Sequence, residues 1–155
     1  MSVSVQQADF DVGAEIAALS QGRPEVGAVA SFVGLVRDVS GGADVAAMTL
    51  EHYPGMTERS LEEIVAEAQR RWSLHALRVI HRYGRLEPGD QIVFVGVAGA
   101  HRGEAFAACE FVMDYLKTRA PFWKLEETPE GARWVDARDS DDSAAAKWEL
   151  PTPPL

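Results

Sequence analysis

Between Tyr115 and Leu125 the chain reads YLKTRAPFWKL, which holds Lys117, Arg119 and Lys124 and no acidic residue. This is a local exception in a chain with 15 Lys+Arg against 24 Asp+Glu and a net charge of −9. Cations gathered in an otherwise acidic protein suit a small anion, a phosphate or a carboxylate. Beyond Pro121, the alternation of an extended strand puts Phe122 and Lys124 on one face and Trp123 and Leu125 on the other, so a cation shares a surface with an aromatic plane. The competing reading is a solvated basic patch that pairs with the acidic C-terminal third.

A second candidate is Gly99-Ala100-His101-Arg102-Gly103, which leads from a strand into a helix. Unbonded backbone N–H groups and the positive end of the helix dipole favour an anion there, and His101 and Arg102 add charged donors. The segment has neither GxxxxGK[ST] nor a clean GxGxxG, so it does not predict a nucleotide triphosphate site, and a plain capped loop is the alternative. His52, His75 and His81 show no HxH, HExxH or Cys/His spacing, so no metal site is expected. Glu51 and His52 point to opposite faces of a strand, which leaves packing or a surface pair. The single cysteine, Cys109, excludes an internal disulfide, a CxxC zinc site and a two-thiol relay within one chain. It falls on an apolar helical stripe and reads as a packing residue. Any sulfur chemistry here needs sulfur from elsewhere.

The elements that must position these groups follow from periodicity. Val3 and Val5 alternate in a first strand, and Asp11 precedes a short helix carrying Val12, Ile16 and Leu19. Gly27 to Val36 is apolar on both faces, as in a covered strand, and delivers Arg37 to a loop ending in Gly41-Gly42. Val45 to Tyr53 is a strand, broken by Pro54-Gly55 before a helix with Leu61, Ile64, Val65, Ala68 and Trp72 on one face. Leu77 to Arg82 and Gln91 to Ala98 form an antiparallel pair, separated by the turn Glu87-Pro88-Gly89-Asp90. A long helix follows, with Phe106, Cys109, Met113 and Leu116 on its stripe, closed by Pro121. Phe122 to Glu127 and Ala132 to Ala137 are strands joined by Thr128-Pro129-Glu130-Gly131, and a last helix covers about Asp141 to Trp148.

With 155 residues, 46% of them apolar and 25% charged, the composition is that of a globular chain with a core of its own. One domain over 1–150 is expected, with 151–155 as a disordered tail. The hairpins that interrupt the strand and helix alternation favour an α+β fold with a mixed or antiparallel sheet. Net charge −9 argues against nucleic-acid binding. The opening MSVSVQQADF has no signal-peptide pattern, and the longest uncharged apolar run, Ile92 to Ala100, is too short to span a bilayer, so a cytoplasmic protein is expected.

The motifs also coincide, in order, with a known family. Phe32-Val33-Gly34-Leu35-Val36-Arg37, Leu50-Glu51-His52-Tyr53-Pro54-Gly55-Met56, Val95-Gly96-Val97, Ala100-His101-Arg102, Met113-Asp114-Tyr115-Leu116-Lys117 and Ala120-Pro121-Phe122-Trp123-Lys124 together resemble the large, catalytic subunits of molybdopterin synthase. The resemblance runs from about Gly27 to Asp139. It implies an α/β hammerhead-type fold with an additional β subdomain, and a homodimer flanked by two small ubiquitin-like sulfur-carrier subunits in a heterotetramer. It implies a sulfurtransferase of molybdenum cofactor biosynthesis without a cofactor of its own, in which the carrier's C-terminal thiocarboxylate gives sulfur to cyclic pyranopterin monophosphate and forms the dithiolene of molybdopterin. By the same resemblance, Lys117 and Lys124 are catalytic, and Phe32, Arg37, His101, Arg102, Met113 and Arg138 bind substrate. Leu35 departs from the pattern, because family members often carry Lys there.

The residue types fit those roles. Arg37 and Arg102 suit bidentate recognition of phosphate. Lys117 and Lys124 are compact ammonium groups, one suited to proton transfer and the other to holding the thiocarboxylate, and His101 suits a proton shuttle near neutral pH. Two readings from other classes stand beside this one: a non-catalytic anion-binding regulatory module, and a metal-independent phosphoester hydrolase using the same basic pocket.

Overall fold

The computed structural model describes residues 2–135 and 139–149. Arg138 and the tail 151–155 therefore lie outside the described residues. The elements are β1 (Ser2–Gln6), α1 (Val12–Ser20), β2 (Ala28–Leu35), β3 (Val39–Ser40), β4 (Ala43–Asp44), β5 (Ala47–His52), α2 (Met56–Arg71), β6 (Leu74–Arg82), β7 (Gly84–Leu86), β8 (Gln91–Gly99), α3 (Arg102–Arg119), β9 (Phe122–Thr128), β10 (Gly131–Val135) and α4 (Asp139–Ala146). This is the α+β fold expected from the sequence. The very short β3, β4 and β7 carry too little pattern to be read from residue types.

A four-stranded sheet runs in the order β1-β6-β8-β2. β1 lies parallel to β6, and the β6–β8 and β8–β2 pairs are antiparallel. Its middle strand β8 is covered on both faces. Val93, Val95 and Val97 enter a core with Leu61, Ile64 and Ala68 of α2 and Ala105, Ala108 and Val112 of α3. Phe94 and Ala98 face Leu19 and Ile16 of α1. Gly96 makes that second packing possible, since a Cβ there would lie 2.6 Å from Leu19 Cδ1 and 2.7 Å from the Phe94 ring. Asp11 starts α1 by accepting the N–H of Ala14 at 3.0 Å.

Two sequence expectations are corrected here. β2 is an edge strand and not a covered one, with Val29, Phe32 and Leu35 37%, 40% and 51% exposed. Its double apolar character has another physical cause, because Phe32 and Leu35 line a cavity. Phe106 is also not on the buried stripe and stands 66% exposed. The face that packs is Ala105, Ala108, Cys109, Val112, Met113 and Leu116, and Phe106 lies about 100° round the helix from Ala105.

A second sheet, β10-β9-β5-β7, is antiparallel throughout. Between the two sheets a small core of Val36, Met48, Leu50 and Leu86 is closed by Tyr83 and Ile92. The hairpin β3–β4 turns on Gly41 and Gly42, whose φ of +58° and +80° satisfy a two-residue turn that needs positive φ at both positions. Arg133 of β10 reaches across to donate to the carbonyl of Ser40 at 2.8 Å, tying this hairpin to the second sheet. No described helix is long and apolar enough to cross a membrane.

Candidate active site

The second half of α3 is where the chain changes direction. Ala120 ends the helix in an extended conformation (φ −80°, ψ 134°), as a residue before proline must, and Phe122 opens β9 immediately after Pro121. Lys117 from the last helical turn and Lys124 from the new strand therefore arrive on the same side. They line a cavity of about 660 Å³ together with Phe32, Leu35, Arg37, Met113 and Phe122. The alternation expected after Pro121 holds, since Phe122 and Lys124 are in the lining and Trp123 points outward, 47% exposed. The volume is that of a small-molecule site.

Arg119 parts company with the two lysines. It pairs with Glu149 at 2.6 Å and its guanidinium lies 4.0 Å from the centre of the Tyr115 ring. The basic run thus divides into two cations that face the cavity and one that meets the acidic C-terminal segment. A second, shallower depression of about 650 Å³ adjoins the cavity and shares Val36, Arg37 and Val39 with it, so Arg37 belongs to both.

Of the residues assigned from the sequence, the structure brings together Phe32, Arg37, Met113, Lys117 and Lys124. It does not bring His101 and Arg102 to them. His101 is the N-cap of α3, makes no side-chain capping bond, and is exposed like Arg102 beside it. The helix is continuous from Arg102 to Arg119, and the 15 residues from Arg102 to Lys117 span about 22 Å at 1.5 Å each. Gly27 holds the His101 loop in place. Its N–H donates to the carbonyl of Gly99 at 2.9 Å, and a Cβ on it would fall 2.2 Å from the carbonyl oxygen of Ala100. Arg138 lies outside the described residues.

Three titratable residues of the lining are not singled out by the sequence motifs: His81, Glu126 and Asp141. His81 is 4% exposed on β6, and burial above all pushes its pKa down to about 3, with the positive charges of Lys124 and Lys117 acting in the same direction. It shows no metal-ligand spacing in the sequence, but its alternation with Leu77 and Val79 marks it as facing inward. Glu126 is 5% exposed and pairs with Arg133 at 3.4 Å. It lies two residues beyond Lys124, so the alternation that placed Phe122 and Lys124 also places it. Glu51 and His52 diverge as expected. Glu51 is exposed, and His52 meets Thr57 Oγ1 at 3.1 Å and packs against Tyr83. Among the described residues no three His, Cys, Asp or Glu side chains converge as a metal would require. Cys109 is buried, and burial, with a smaller contribution from Glu110, raises its thiol to about 11.

The fold and site define an α+β protein whose paired lysines and arginine face a cavity fit for a small anionic substrate. The family model described as MoaE protein matches residues 5–119, and the chain belongs to this family. It is 63% identical over 151 residues to a molybdopterin synthase catalytic subunit of Ralstonia nicotianae, covering 97% of this chain and 86% of that protein. The relative of that name from Pseudomonas aeruginosa is 60% identical over 149 residues, covering 96% and 99%. The solved structure of a molybdopterin biosynthesis MoaE protein from Burkholderia ambifaria is 59% identical and superposes with a TM-score of 0.82, over 97% of this chain and 99% of that one.

Proposed function

We propose that this chain is the catalytic subunit of a molybdopterin synthase. It transfers sulfur from the C-terminal thiocarboxylate of a small ubiquitin-like carrier subunit to cyclic pyranopterin monophosphate and forms the dithiolene of molybdopterin. The observation that carries this reading is the meeting of Lys117 and Lys124 in one cavity with Arg37, Phe32 and Met113. Arg37 suits the phosphate, Phe32 and Met113 give apolar surface to the ring system, and the two ammonium groups hold the anionic tail and give a proton to the departing phosphate oxygen. The buried Cys109, with its thiol raised to about 11, is a poor nucleophile at neutral pH, which fits a carrier as the sulfur source.

The reading extends to assembly. The relatives are called catalytic subunits, a name that itself supposes a companion subunit. A second copy of this chain supplies His101 and Arg102 to the cavity, since one copy keeps them about a helix length from Lys117. Phe106, 66% exposed one turn beyond Arg102, is apolar surface for that contact. The protein acts in the cytoplasm as one domain over 1–150, and Arg138 joins the substrate-binding set. The test is reconstitution of purified chain, thiocarboxylated carrier and cyclic pyranopterin monophosphate, with molybdopterin measured. Product that requires all three supports the proposal, and no product from a chain that binds the carrier overturns it.

A further inference from the structure

The His81 ring is held in a fixed orientation by a stack and a hydrogen bond. It is in register with Val93 of β8, and Val93 with Gly34 of β2, so the three residues form a row on one face of the first sheet, and all three line the cavity. Gly34 keeps that row flat, since a Cβ there would come within 2.7 Å of Val93 Cγ1. The imidazole is stacked on Phe122 with ring centres 3.7 Å apart and planes 16° apart. Its Nδ1 donates to the carbonyl of Arg82 at 2.8 Å. A carbonyl only accepts, so Nδ1 carries the proton, and in the neutral ring Nε2 is the acceptor. The stack fixes the plane and the carbonyl fixes the tautomer.

The charged and titratable groups acting on the ring are Lys124 from β9, Lys117 from α3 and His52 from β5. In that company a protonated ring would be a further cation, whereas a neutral one offers its lone pair. Lys124 shares a strand face with Phe122, the residue on which His81 lies.

We propose that His81 is a positioning residue for the lysine pair, its Nε2 serving as a fixed neutral acceptor for an N–H of the Lys124 ammonium during the reaction. An acceptor aimed at an ammonium favours the protonated amine and restricts its direction. His81 thereby keeps Lys124 charged and aligned for an anionic substrate. The inference deepens the sulfur-transfer reading and rests on it for the role in turnover.

Two variants test it. His81→Phe keeps a ring on Phe122 and removes both nitrogens, and His81→Gln keeps an acceptor near the position of Nε2. Both are first checked for wild-type-like circular dichroism and cooperative melting. Labelling of Lys124 by an amine-specific acylating reagent at mildly alkaline pH, read by peptide mass spectrometry, should be at least about threefold faster in His81→Phe and near the wild-type rate in His81→Gln, because only an unprotonated amine reacts. In molybdopterin formation, kcat should fall about tenfold or more in His81→Phe with KM for the pterin little changed, and His81→Gln should recover most of the loss. Equal labelling of Lys124 in all three folded proteins overturns the inference, as does a Gln variant no better than the Phe variant. Labelling needs no turnover. If the wild-type chain made no molybdopterin while Lys124 labelled as expected, the sulfur-transfer reading would fail and the histidine–lysine relation would stand.

Discussion

The imidazole of His81 lies flat on the ring of Phe122, 3.7 Å between centres, in a site where burial holds its pKa at about 3 against an ordinary 6.5. Between those two values the unfolded chain binds a proton that the folded chain refuses. Stability therefore falls as pH drops from about 6.5 towards 3, by up to ~1.4 kcal/mol per pH unit. Asp9 and Glu67, whose carboxyls are held below the usual range by Gln91 and by Arg71 with Arg70, lose their contributions only as pH falls below the ordinary carboxylate values of about 4 towards those lowered ones. The window from about pH 6.5 to 4.5 belongs to the histidine. Thermal melts should show the midpoint dropping by several degrees across it in the wild type, and a flatter profile in His81→Phe. Parallel pH profiles for the two proteins would contradict this assignment.

Lys117 is exposed at the end of α3 and lines the cavity with its side chain. Its removal should leave the fold intact, with stability changed by no more than about 0.5 kcal/mol. Lys117→Ala should nevertheless lower turnover by at least about 10²-fold, the scale of a lost proton-transfer or charge-stabilising group. Lys124→Ala should lose a similar factor in kcat. A loss confined to KM would make Lys124 a binding group only.

Cys109 packs with Val95 and Val112, and its Sγ lies 3.9 Å from the Val95 carbonyl. With its thiol raised to about 11, it should resist alkylating reagents at neutral pH in the folded protein and react at once in denaturant. Cys109→Ala should cost about 1 to 2 kcal/mol of stability through lost packing and leave molybdopterin formation within about twofold. A folded Cys109→Ala protein without activity would place this sulfur in the chemistry.

What residue types disclose here depends on how far their consequences reach along the chain. Asp11 as a cap, Pro121 as a stop and the alternation of Phe122 with Lys124 are local, and the structure has each of them where the pattern puts it. The sequence cannot decide the burial of Phe106, because an interval of seven fits Phe106 and Met113 as well as Ala105 and Val112, and only the docking of α3 on the first sheet decides between the two faces. β2 misled for a related reason. Apolar residues on both faces serve a covered strand and a cavity-lining edge strand equally well, and the difference is its position beside β8. His81 was legible as an inward-facing residue of its strand. Its company was not, because Phe122 and Lys124 arrive from about forty residues away.

His101 and Arg102 stand at the start of a helix that has Lys117 near its end, so a site using all three must draw on two copies of the chain. A two-fold axis that sets two such helices antiparallel brings each start to the other's end and produces two equivalent sites. Complementation tests this. Lys117→Ala and Arg102→Ala subunits, each inactive alone, are mixed under conditions in which exchange is verified by mass. In a heterodimer both defects fall in one cavity and the other is intact. Activity should then recover to about half of the wild-type value per heterodimer. If exchange is complete and no activity returns, Arg102 and Lys117 serve the same cavity from one chain.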